Sequence, residues 1–309
     1  MKSEKLSPRQ LWVAVLTGGL SAGAAAAGRT DWRWLLAAAV LGTAAGWLIL
    51  WRVGYKPLHP VLRVLYRVWS VPLLADVLNR TADRIQQASG SAERTEWLLV
   101  LLAVPLIWMG WGKAAAFFRA VEIFWLGTVV MVVAILLLGR PRVDWRWALE
   151  PVGNWRDSLS AGGLVMSTGL FVLPLLYKVE PERGEDGRGL AWLGALGVIS
   201  AALGMLTAGL LSPAVAAELE GPFFAAAGLL GDSARLEGLV SALWLLPDFT
   251  LAGVLAHAWG EDRWPALAVV IALGLALTGV MDFLPGAALT LGCLVLAALS
   301  AALPPGGQK

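Results

Sequence analysis

Asp248 sits directly after Pro247 near the middle of a long apolar stretch, Leu236–Ala258. A carboxylate at the centre of a bilayer costs at least about 2.5 kcal/mol, so it needs a partner or a purpose. Pro247 removes a backbone N–H and frees a carbonyl one turn back, so the two residues make a polar notch. Such a notch can take a proton, a cation or a ligand amine, which makes Asp248 the candidate coupling acid of this chain. The alternative is a carboxylate tied to an arginine from another span, or one lining a wet cavity.

Two glycine-rich segments with hydroxyl residues are the next places where chemistry is possible. The first apolar stretch contains Thr17-Gly18-Gly19-Leu20-Ser21-Ala22-Gly23. The sixth contains Ser160-Ala161-Gly162-Gly163 and then Ser167-Thr168-Gly169. Each glycine weakens a helix by about 1 kcal/mol relative to alanine. Several together let a helix unwind and present carbonyls and N–H groups at mid-membrane. Paired interruptions in two halves of a chain point to a substrate site in transporters built from inverted repeats. Close helix packing through small residues uses the same residue types and is the competing reading.

Enzymatic chemistry finds no support. HExxH, GxSxG and phosphate-loop patterns are absent, as is a paired acidic motif, so the chain reads as a non-enzyme. His59 and His257 lack metal-ligand spacing, and the single cysteine, Cys293, permits neither an internal disulfide nor a cysteine zinc site, so no metal or cofactor is expected. The net charge of +2 is too small for a nucleic-acid partner. Of the remaining charges near spans, Asp76 and Arg80 lie one turn apart and should pair. Arg119 and Glu122 should do the same, and Asp282 falls at an interface where a carboxylate is cheap.

The elements that must position these residues are membrane helices. Of 309 residues 58% are hydrophobic and 15% charged, and the mean hydropathy is +0.70. A bilayer core about 30 Å thick takes roughly 20 apolar residues per helix. Ten stretches qualify: Leu11–Ala27, Trp34–Val53, Leu58–Val77, Trp97–Trp111, Phe117–Leu138, Leu159–Tyr177, Leu190–Leu211, Leu236–Ala258, Trp264–Met281 and Leu284–Leu303. They leave no room for a soluble domain, and the long alternating segments of a barrel are missing. The expectation is one all-α polytopic domain over 1–309.

The loops refine this. Lys2, Lys5, Arg9, Arg52, Lys56, Lys113, Lys178, Arg183 and Arg188 fall on one side and Arg29, Arg33, Arg80, Arg84, Arg94, Arg140, Arg142, Arg146 and Arg156 on the other; the expectation, supported also by the even span count, is both termini in the cytoplasm. The first stretch ends in SAGAAAAG, which also fits a cleavable signal, but the helical pattern runs on into a second span and favours retention. Glu180–Gly189 reads as a solvated connection. Leu211–Asp232, with Pro213 and Pro222, reads as a short helix lying across the outer face. Asp-Trp-Arg-Trp occurs at Asp31–Trp34 and again at Asp144–Trp147, either an internal duplication or, more simply, tryptophan and arginine anchoring at the headgroup level.

Several short motifs together resemble the B-subunit permeases of GerA-type spore germinant receptors, members of the amino acid–polyamine–organocation superfamily. They are Leu6-Ser7-Pro8-Arg9-Gln10-Leu11, Phe118-Arg119-Ala120-Val121-Glu122-Ile123-Phe124, Ser212-Pro213 with Pro222, and Arg235-Leu236-Glu237-Gly238-Leu239 followed by Trp244 and Phe249. Their order and spacing agree with the family over nearly the whole chain. The resemblance implies a LeuT-like fold in two inverted five-helix repeats, about 8–140 and 155–303, with broken helices 1 and 6. It also implies a spore inner-membrane complex with A-type and C-type subunits that senses a small amino-acid-like nutrient. On this reading Gly18, Gly19 and Ser21 contact the ligand from helix 1, and Gly163, Ser167 and Thr168 from helix 6. One departure stands out: where relatives carry a Gly-Glu pair about nine residues before a proline, this chain has Leu164-Val165 before Pro174. The rivals are a proton- or cation-coupled amino acid transporter and a ligand-free assembly subunit.

Overall fold

A computed structural model describes residues 5–89, 95–179, 188–219, 221–230, 235–260, 263–279 and 286–304. Regular structure among them is helical, apart from two isolated bridge pairs. Ten long helices form the body: α1 (Pro8–Ala26), α2 (Trp32–Val53), α3 (Pro60–Ser89), α4 (Thr95–Trp111), α5 (Ala114–Gly139), α7 (Trp155–Leu170), α8 (Arg188–Leu211), α11 (Arg235–His257), α12 (Trp264–Leu277) and α13 (Gly286–Ala302). Three short ones, α6 (Trp145–Leu149), α9 (Pro213–Glu218) and α10 (Pro222–Gly228), lie between them. The single short helix expected over Leu211–Asp232 is thus two, each opened by a proline at its first position.

Four of the described helices are long and apolar enough to cross a membrane: Trp32–Val53, Ala114–Arg142, Ala191–Leu211 and Gly238–His257. Thr95–Trp111, Trp264–Leu277 and Ala288–Ala302 are apolar but shorter. The outward faces of α2, α4 and α5 carry exposed Trp47, Trp51, Trp97, Trp108, Ile123 and Leu126. Apolar surface on that scale belongs against lipid rather than water. The chain is therefore an all-α protein of integral-membrane character.

At the centre stands α1, with 16 of its 19 residues buried. It packs on α5, α7, α8 and α11; α2 packs on α7 and α8; α3 on α4, α11, α12 and α13; α4 on α12; α7 on α13. Ser7 and Gln10 close the start of α1 as a capping box. The backbone N–H of Leu6 donates to the Lys178 carbonyl at 2.9 Å, tying the start of α1 to the end of the sixth span.

The expected break in helix 1 is absent, because α1 runs through Gly18, Gly19 and Gly23 without interruption. The missing side chains are used instead to bring neighbours close. A Cβ on Gly18 would lie 3.1 Å from the Leu251 backbone of α11, one on Gly19 would overlap Leu196 of α8, and one on Gly23 would overlap Ser200 of α8. The sixth span does change character, but later than its glycines. It is α-helical to Leu170, turns at Phe171–Val172, and continues as a 3-10 segment over Leu173–Lys178. Pro174, which cannot donate to the ladder, lies at the start of that segment.

Other charges settle differently. Arg80 Nε donates to Asp76 Oδ2 at 2.9 Å, the pair expected from their spacing. Glu122, expected to pair with Arg119, instead faces α1, with Arg9 Nε at 3.8 Å and Gln10 Nε2 at 3.4 Å. Both Asp-Trp-Arg-Trp copies cap helices: Asp31 accepts from the Arg33 N–H and Asp144 from the Arg146 N–H. Asn154 does the same for Arg156 at the start of α7. The first copy opens the long α2 and the second the five-residue α6, so they recur as a capping solution at unlike places. The 180–187 loop and Asp282 lie outside the described residues.

A buried ion pair beneath a cavity

Asp248 reaches its partners because three helices converge on it. α11 passes through Pro247 without breaking, and the Thr250 hydroxyl donates to the Leu246 carbonyl at 2.8 Å beside it. α1 runs antiparallel to α11 in a fixed register, with Gly18 against Leu251 and, three residues on, Ser21 against Asp248. The Ser21 hydroxyl donates to Asp248 Oδ1 at 2.6 Å, and the glycine one turn away is what permits that approach.

The third helix is α3. It extends a dozen residues past the apolar stretch that predicted it, because nothing from Leu73 to Ser89 breaks a helix. Thr81 and Arg84, at i and i+3, face α11 from that extension. The two terminal nitrogens of Arg84 donate to both Asp248 oxygens, Nη1 to Oδ2 and Nη2 to Oδ1, the latter at 3.4 Å. Thr81 Oγ1 lies 2.7 Å from the Val77 carbonyl and 3.1 Å from Asp248 Oδ2, with one proton to share between them. Asp248 and Arg84 are 2% and 6% exposed, so each would be costly without the other.

Arg84 also borders open space. A cavity of about 680 Å³ lies at the end of the bundle where α1 finishes, lined by Ala24, Ala25 and Arg29, by Arg80, Asp83, Arg84, Gln86 and Gln87 of α3, and by Gly221 with Pro222 and Phe224 of α10. That size suits a small ligand. The Phe224 ring covers the Arg84 guanidinium, its centroid 4.5 Å from Cζ, and packs with Phe223 around the buried Trp244. On the other side of Asp248 a void of about 10 Å³, lined by Thr81, Leu102 and Leu106, has room for about one water. The acid is thus approached from the Arg84 side.

Of the residues singled out from the sequence, the structure brings together Ser21 and Asp248. Gly18 and Gly19 are covered by α11 and α8. Gly163 faces elsewhere, with Thr290 of α13 2.7 Å from where its Cβ would be. Thr168 returns its hydroxyl to the Val165 carbonyl at 2.7 Å. The side chain of Ser167 lies outside the described residues. Arg84 and Thr81 were missed. Their signal was the i,i+4 series Asp76, Arg80, Arg84 with no helix breaker between.

The Ser21 and Thr81 hydroxyls and the Arg84 guanidinium all converge on the Asp248 carboxylate. Among the described residues no three His, Cys, Asp or Glu gather to hold a metal. Compared with protein-family models and with curated proteins, the chain matches none.

Proposed function

We propose that this chain is a permease-type membrane subunit that binds a small amino-acid-like solute in the cavity bordered by α1, α3 and α10. One observation carries the reading: a ligand-sized cavity has as its floor a buried guanidinium that is bonded, through Asp248 and Ser21, to the central helix. Ligand contact there acts on how α1 sits against α11, which is the differential interaction a sensor needs.

The helix packing supports a LeuT-like arrangement of two five-helix repeats. Counting the ten long helices in order and adding five to each number exchanges α1·α8 with α7·α2, α1·α5 with α7·α13, and α3·α4 with α11·α12, and all six pairs are in contact. With both termini in the cytoplasm, as expected from the sequence, the cavity faces outward. The resemblance of Leu6–Leu11, Phe118–Phe124 and the Ser212-Pro213 segment to germinant-receptor permeases narrows the role to nutrient sensing in a spore inner membrane beside A-type and C-type subunits.

The test is a distance measurement across the α1–α11 contact. Purified protein in nanodiscs, spin-labelled at both helices, should change its distance distribution on addition of a pooled amino-acid mixture. Filling the cavity with Ala25→Trp should remove the change. An unaltered distribution in the unmodified cavity would refute the sensor, and substrate flux in proteoliposomes would convert it to a transporter.

A further inference from the structure

Among the described residues Arg84 is the charged side chain that belongs both to the cavity wall and to the buried cluster. A guanidinium carries five N–H donors in a planar fork. Two serve Asp248, which leaves three. The described wall around it places three guanidinium groups, Arg29, Arg80 and Arg84, against one carboxylate, Asp83. Arg80 is matched by Asp76 and Arg84 by Asp248. On the described wall cationic groups thus outnumber the carboxylate, which favours an oxyanion over a cation as the ligand group.

We propose that the cavity is a carboxylate site in which Arg84 is the receiving group and Asp248 its internal competitor; the assignment rests on the receptor reading above. With the site empty, Asp248 holds the guanidinium by both terminal nitrogens. A ligand carboxylate engages the free edge of the fork, where planar bidentate bonding favours carboxylate geometry. Two carboxylates then share one cation in a poorly solvated place and repel each other, so each weakens the other's hold. Asp248 is fastened to α1 through Ser21 at 2.6 Å. Loosening Arg84 from Asp248 therefore changes the α1–α11 contact without the ligand touching either Gly18 or Gly19.

This makes a prediction that a ligand-amine role for Asp248 reverses. Purified full-length protein is titrated calorimetrically with N-acetyl-L-alanine, which offers a carboxylate alone, with L-alanine, and with L-alanine amide, which offers an ammonium alone. The first two should bind and the third should not. Arg84→Gln should weaken N-acetyl-L-alanine by about tenfold or more, whereas Asp248→Asn should tighten it by about tenfold. Ser21→Ala, which loosens Asp248 without removing a charge, should tighten it by about two- to threefold and covers the case in which Asp248→Asn fails to fold. Weaker binding in Asp248→Asn or Ser21→Ala, or equal binding of the amide and L-alanine, would overturn the carboxylate assignment. If the amide binds and Ala25→Trp abolishes it, the receptor reading stands and the ligand class alone is wrong. Absence of binding by all three at millimolar concentration would overturn both.

Discussion

Replacing Arg84 with methionine tests whether the buried pair holds the centre of the molecule together. The substitution leaves Asp248 at 2% exposure with the Ser21 hydroxyl at 2.6 Å and a shared contact from Thr81. Breaking a buried pair by removing one partner costs about 3–5 kcal/mol in soluble proteins. Two features lower that figure. The cavity on the Arg84 side lets water reach the abandoned carboxylate, and interhelical hydrogen bonds in membranes average only about 0.6 kcal/mol each. We therefore expect Arg84→Met to cost about 2–3 kcal/mol, below most of the pair-breaking range. Asp248→Asn should cost about as much, since it strands the guanidinium. The double variant has no charge left to desolvate, so it should cost about 2 kcal/mol less than the sum of the two singles. Reversible unfolding in mixed micelles, followed by tryptophan fluorescence, measures all four corners of the cycle. Single costs that add to the double within about 0.5 kcal/mol would show that the two groups do not interact.

Three further outcomes follow from packing. Gly18→Ala places a Cβ 3.1 Å from backbone atoms of Leu251, which cannot rotate away, and should destabilise by about 1–3 kcal/mol; Gly238→Ala in α11 meets nothing within 4 Å and should stabilise by up to about 1 kcal/mol, and the same sign for both in unfolding titrations would refute the contact. Because Gly18 permits the Ser21–Asp248 approach, Gly18→Ala and Ser21→Ala should be less costly together than their sum, and additivity within about 0.5 kcal/mol would separate the two. Cys293, the single cysteine and only 3% exposed, should react with a maleimide slowly in the folded protein and fully on unfolding; rapid labelling of the folded chain would contradict the seat of α13 on α3 and α7.

The helices were largely legible because lipid imposes one simple demand, an apolar run of sufficient length. Leu190–Leu211 and Leu236–Ala258 meet α8 and α11 within a residue or two at most ends. The demand fails where a helix leaves the apolar layer. The apolar stretch ends at Val77, yet the polar residues after it continue one helix to Ser89, and Arg80, Asp83 and Arg84 among them line a cavity. Hydropathy reports the solvent a segment prefers. Where its hydrogen bonds go is a separate question, and a polar segment free of glycine and proline stays helical wherever polar partners await it.

The site was half legible for a related reason. Asp248 was conspicuous because an acid in an apolar run stands out, and Ser21 because it lies among glycines. Their partner Arg84 stood in polar surroundings where an arginine is ordinary. The glycines misled in a more instructive way. A residue without a side chain lets a helix unwind, and equally lets another helix come near; the outcome is set by what stands opposite. For Gly18 that is the backbone of Leu251, and for Gly19 and Gly23 it is Leu196 and Ser200, none of them visible from within the first stretch. The close approach then does something unwinding would have prevented, since it holds Ser21 within 2.6 Å of Asp248. The glycine segment and the buried acid, read as two candidate sites, are two sides of one helix contact, and Arg84 is the point at which that contact meets the cavity.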